Sequence, residues 1–158
     1  LRAPLTATWL QGRTVLAVDV SAEGERLVVH HRGEGQDQVD VAVIVRDASG
    51  RPTALGRALA LLPEGAPTVL GAPCWYDPVN VALLLPAQDE GGAPRIHHLQ
   101  VGGLSSDQTG ALGATQVAAN RVDGTLSLTD ASQQVWQRSG ATWRVVDTDL
   151  TDLSYPLP

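Results

Sequence analysis

Short apolar runs separated by turn residues recur along the chain, and helical spacing is almost absent. Thr14–Val20 (TVLAVDV), Arg26–His31 (RLVVHH) and Val39–Arg46 (VDVAVIVR) are rich in β-branched residues and of strand length. Such side chains fit a pleated, half-buried surface. Ser21-Ala22-Glu23-Gly24-Glu25 separates the first two runs, and Asp47-Ala48-Ser49-Gly50 follows the third. Each carries a Gly where a tight turn needs positive φ. Arg51–Leu55 completes a four-stranded meander, and Pro52, with no N–H to donate, suits an edge.

The same order recurs twice. Ala72–Tyr76, the turn Asp77-Pro78, Val81–Leu85 (VALLL), the loop Pro86–Ala93, Arg95–Val101 (RIHHLQV) and Gly102-Gly103 form a second unit. Gln116–Asn120, Asp123-Gly124, Thr125–Thr129, Asp130-Ala131-Ser132, Gln134–Arg138, Ser139-Gly140 and Thr142–Val146 form a third. The first-turn positions Gly24, Pro78 and Gly124 are 54 and 46 residues apart, and four strands in about 40 to 55 residues is the size of a propeller blade. The pattern predicts an all-β chain, a β-propeller fragment of about three four-stranded antiparallel blades at 9–62, 66–112 and 115–150 within a single domain, 1–158. A β-sandwich also has many short strands with Gly and Pro turns and is the alternative. Within Thr53–Leu62 (TALGRALALL), Leu55, Ala58, Leu59 and Leu62 fall at helical spacing, which predicts one or two helical turns between blades.

Closed propellers have about 4 to 8 blades, and three alone leave apolar blade faces and strand edges uncovered. Either further blades lie in sequence beyond this chain, or two copies form a homodimer that covers the edges. The chain starts at Leu1 and contains no Met, so it is expected to be an excised domain of a longer protein.

Charge narrows the partners. Eleven basic residues, all Arg, stand against 17 acidic ones, for a net charge of −6. Without a basic cluster, nucleic acid is excluded as a partner. Apolar residues make up 43% of the 158, enough for a packed core and against disorder. No apolar run approaches the roughly 20 residues of a membrane-spanning helix.

Candidate chemistry is sparse. His30-His31 and His97-His98 are the most suggestive metal ligands, yet adjacent strand residues point to opposite faces, so each pair offers one imidazole to any site. Asp147, Asp149 and Asp152 supply oxygens, with Asp147 and Asp149 on one strand face and so weak candidates for calcium. They lack the Gly and terminal Glu of a helix-loop-helix calcium loop. For a glycosidase pair of carboxylates the choices are Asp19, Asp40, Asp77 and Asp123. Asp77 and Asp123 are explained by their turns, and Asp40 is expected to alternate outward between Val39 and Val41. No nucleophile elbow or phosphate-cradling glycine loop is present. Cys74 has no basic neighbour in sequence and reads as a buried hydrophobe. No catalytic residue, cofactor or metal is assigned. Trp75, Trp136 and Trp143 read as packing residues, and Trp9 is the weak candidate for a partner anchor.

Several segments resemble a known family. Val20-Ser21-Ala22-Glu23-Gly24-Glu25-Arg26-Leu27, preceded by Trp9, resembles the VS-x-DG-x-R blade starts of the actinobacterial LpqB lipoprotein family, with Glu23 where the family usually has Asp. Cys74-Trp75-Tyr76-Asp77 before Val81–Leu85, Val101-Gly102-Gly103, and Gly140-Ala141-Thr142-Trp143 with Tyr155-Pro156 are similar to its later segments. The resemblance implies the C-terminal β-propeller of a secreted envelope lipoprotein. In such a protein an upstream lipid anchor would hold the domain at the outer face of the cytoplasmic membrane. It further implies a non-catalytic, protein-binding role, in which the propeller touches the extracytoplasmic part of a sensor histidine kinase and modulates signalling of the MtrA–MtrB type. The competing functions are a propeller that binds or hydrolyses envelope polysaccharide, and a solute- or metal-binding sensor domain.

Overall fold

The computed structural model describes residues 4–62, 68–108, 113–140 and 142–147. Three antiparallel meanders follow one another. The first holds β1 (Thr14–Val20), β2 (Arg26–Gly33), β3 (Gln36–Arg46) and β4 (Pro52–Leu55), with the short β5 (Leu59–Ala60) also paired to β3. The second is β6 (Leu70–Trp75), β7 (Asn80–Leu85), β8 (Arg95–Gln100) and β9 (Ser105–Gln108). The third is β10 (Ala114–Ala119), β11 (Leu126–Asp130), β12 (Val135–Ser139) and β13 (Thr142–Asp147).

Two apolar clusters join the three sheets. Val28, Val39 and Val41 of the first blade meet Trp75, Val81, Leu83, Leu85 and Leu99 of the second. Cys74, Ala82, Leu84 and Ile96 of the second meet Ala114, Val117, Ala119, Leu126 and Leu128 of the third. Alternation therefore splits β7 between two interfaces: Val81, Leu83 and Leu85 face one blade while Ala82 and Leu84 face the other. A strand buried on both faces has no polar side, which explains the unbroken VALLL. The first strands adjoin one another, β6 lying between β1 and β10, as the innermost strands of propeller blades do.

The segment 53–62 corrects the helical expectation. It forms β4 and β5, with the Gly56 N–H donated to the Val43 carbonyl at 2.8 Å and the Leu61 N–H to Val39 at 2.8 Å. The long β3 leaves backbone groups that need partners, and pairing supplies them. The apolar spacing does not mark one face, since Leu62 is buried in the first interface while Leu59 is 46% exposed. A 3-10 turn at Thr8–Leu10 and the polar strand β9 (SSDQ) had no signal in the hydrophobic pattern. No helix among the described residues is long and apolar enough to cross a membrane.

Candidate partner-binding rim

The first turn of each blade, at Ser21–Glu25, Tyr76–Val79 and Asn120–Thr125, lies at the same end of its sheet, and residues of all three line one depression. Each turn is fixed by its own side chains. The Ser21 carbonyl accepts the Gly24 N–H at 2.9 Å, and Ser21 Oγ accepts that of Arg26 at 3.2 Å. Asp77 Oδ1 accepts the N–H groups of Val79 (2.8 Å) and Asn80 (2.7 Å), and its Oδ2 accepts Asn80 Nδ2 at 2.6 Å. Asn120 Oδ1 accepts the Val122 N–H at 2.9 Å, and Asp123 Oδ1 accepts that of Thr125 at 2.9 Å. The Thr125 N–H, followed by its hydroxyl, holds the Asp123 carboxyl below the usual carboxylate range.

Asp19 ties the three turns together. Its Oδ1 accepts the Val20 N–H at 3.0 Å within its own blade. Its Oδ2 accepts the Trp75 N–H of the second blade at 2.8 Å. Its Oδ1 also pairs with the Arg121 guanidinium of the third. The Trp75 indole Nε1 adds a bond to the Asp19 carbonyl at 3.2 Å, and Arg26 Nη1 reaches the Pro78 carbonyl at 2.8 Å. A carboxylate mostly withdrawn from water needs several hydrogen-bond donors, and three blades supply them here.

Closeness of packing shows at Gly124. Its φ is +72°, and a Cβ there would collide with the Tyr76 carbonyl oxygen of the neighbouring blade. Only Gly meets both requirements. The depression between the turns has a volume of about 310 Å³. Ala22 and Glu23 of the first blade, Trp75 to Pro78 of the second, and Arg121 to Gly124 of the third line it.

The structure distributes the remaining sequence candidates. His30 and His31 do point apart: His30 Nε2 lies 3.4 Å from Asp37 Oδ2, whereas His31 Nε2 lies 2.7 Å from Asp40 Oδ2. The expectation that Asp40 faces water is corrected. It does alternate away from Val39 and Val41, but that face is covered, and Asp40 is buried against the fully buried His31. Trp9 is half-buried there, its ring 5.8 Å from that of His31 and its Nε1–H donated to the Gly56 carbonyl at 3.0 Å. His98 Nδ1 lies 3.2 Å from the Tyr76 hydroxyl, with the rings edge to face.

Cys74 is buried, and burial pushes its thiol far up, with the Asp19 charge adding to the shift. Trp136 donates to Asp130 Oδ2 at 2.9 Å, and Trp143 packs on the second interface. Asp147 ends β13 opposite Val135; its side chain, Asp149 and Asp152 lie outside the described residues. Among the described residues no three His, Cys, Asp or Glu side chains gather as a metal site would require.

Asp19 and Arg121, 102 residues apart, form the link that sequence reasoning missed as a site. In sequence Asp19 offers itself only as a catalytic carboxylate, and Arg121 carries no motif before Asp123-Gly124. The shared position just before or within a first turn was the available signal.

Three meandering sheets set face to face, with adjoining first strands and converging first turns, define a β-propeller domain. The chain matches the family described as the lipoprotein LpqB beta-propeller domain over residues 2–157. It belongs to that family. Comparison with curated proteins gave no match.

Proposed function

We propose that this domain is the non-catalytic, protein-binding module of a cell-envelope lipoprotein. Its first-turn rim contacts the extracytoplasmic part of a sensor histidine kinase and so modulates two-component signalling of the MtrA–MtrB type. The observation that carries the reading is the use to which the rim's polar groups are put. Asp19, Asp77 and Asp123 each accept hydrogen bonds that hold turns or blades in place. A general acid or base has to be able to exchange its proton with a substrate, and these carboxylates are engaged in structure. What the rim offers outward is shape and exposed side chains, including Val122, which is 85% exposed. Isolated exposed apolar residues are ordinary, but one beside a preformed depression is suited to burial by a partner.

Site-specific photo-cross-linking tests this. A cross-linker at position 122 is expected to capture the extracytoplasmic part of the sensor kinase. One at position 90, in the β7–β8 loop at the opposite end of the second blade, is expected to leave it free. Capture from position 90 alone, or from neither position, contradicts the reading.

A further inference from the structure

The rim depression has a chemistry that narrows what enters it. About 310 Å³ lies at the small end of the roughly 300–1,000 Å³ of ligand clefts, which suits a side chain better than a large cofactor. Trp75, Tyr76, Pro78 and Val122 give it apolar walls, and the carboxylates of Glu23 and Asp123 stand among its lining residues. Its one lining cation, Arg121, already pairs with Asp19. Two further guanidiniums stand at this rim, Arg26 on the Pro78 carbonyl and Arg46 on the Gly24 carbonyl, but the lining carboxylates Glu23, Asp77 and Asp123 outnumber them, in a chain whose net charge is −6. An aliphatic stem ending in a cation matches both halves of this surface, the stem against the apolar walls and the head at the carboxylates.

We infer that the depression takes the side chain of an arginine or lysine presented by a loop of the protein partner. The inference rests on the rim being the partner-binding face, but its test does not need the kinase. Three turns from three blades build the receptor, so it is preformed wherever the Asp19 links hold, and little ordering cost falls on binding. Glu23 is exposed and makes its contribution through charge alone, so altering it tests recognition without disturbing the fold. Charge attraction at such an open site weakens as salt rises.

The test is an amide chemical-shift titration of this chain with the capped peptide Gly-Arg-Gly, with Gly-Glu-Gly, and with spermidine. The arginine peptide is expected to move the amides of Ala22, Tyr76, Val122 and Gly124 saturably at low salt. The glutamate peptide should leave them in place. Glu23→Lys is expected to weaken binding of the arginine peptide by about tenfold or more, the scale of one charge-assisted contact, while Glu90→Lys on the opposite rim leaves it unchanged. No movement of these amides, equal movement with the glutamate peptide, or indifference to Glu23→Lys overturns the inference. Spermidine binding as tightly as the peptide also overturns it, by pointing to a small polycation. Kinase capture with no response to the arginine peptide would sink this inference and leave the proposed function standing.

Discussion

Trp75 donates both of its N–H groups to Asp19, the backbone one to Oδ2 at 2.8 Å and the indole one to the carbonyl oxygen at 3.2 Å. A residue at the end of β6 thereby fixes the end of β1, and Arg121 brings the third blade to the same carboxylate. Removing Asp19 strands donors on two other blades. Asp19→Ala is expected to destabilise the domain by about 2–4 kcal/mol, the cost of unpaired buried donors and a lost charge partner. Thermal unfolding reads this, at about 2–4 °C per kcal/mol for a chain of this size. Asp19→Ala combined with Arg121→Ala should cost less than the sum of the two single changes, since the pair acts as a unit. Additive costs would show that the two residues do not support one another.

Gly124 tests how tightly the third blade sits against the second. Gly124→Ala meets both a positive φ and the Tyr76 carbonyl. Gly50→Ala has a similar φ of +80° with open space around the missing Cβ. The backbone penalty alone is about 1–2 kcal/mol, so Gly50→Ala is expected to cost that much and Gly124→Ala distinctly more. Equal unfolding midpoints in urea for the two variants would mean that the blades separate easily at this rim.

The contrast between β7 and the rim shows what the sequence carried. VALLL announced a strand, because burial on both faces removes every polar position. The turns at Asp77-Pro78 and Asp123-Gly124 were equally legible, since Asx and Gly chemistry acts over two or three residues. Thr53–Leu62 misled because apolar spacing over ten residues fits a helix as well as two short strands, and the choice fell to the unpaired backbone of β3. Asp40 misled because alternation gives a face without saying what covers it, here Trp9 and Arg13 beside His31. The Asp19–Arg121 contact spans 102 residues, so no local pattern encodes it. It exists only once the apolar interfaces have brought the blades together.

Cys74 should be chemically silent in the folded chain. Thiolate is the reactive form, and burial raises the thiol so far that thiolate is negligible at neutral pH. A disulfide reagent is expected to modify Cys74 only at the rate of unfolding and rapidly in denaturant. Fast modification of the native chain would place Cys74 at an opening between the second and third blades.

Acid should weaken the fold through identifiable carboxylates. Arg32, as a hydrogen-bond donor, holds Asp37 below its ordinary value, and the Trp136 indole does the same for Asp130 ahead of its backbone donors. A carboxyl lowered on folding stabilises the native state above its unfolded pKa, and that contribution is lost as pH falls through the folded value. The contribution of these two groups is therefore expected to be constant from pH 7 to about 5 and to decline below about pH 4. Asp130→Asn should lower the unfolding midpoint at pH 7 and flatten the decline in acid. A variant curve parallel to the native one at every pH would remove Asp130 from the account.

Calorimetric titration of a sensor kinase's extracytoplasmic part into this domain tests directly the proposal that the first-turn rim is its docking face. Val122→Lys is the paired variant, because a side chain 85% exposed can be replaced without unfolding the chain. The account predicts saturable binding to the native domain, weakened about tenfold or more by Val122→Lys at unchanged thermal stability. Absence of binding, or equal affinity for the two proteins, would contradict it.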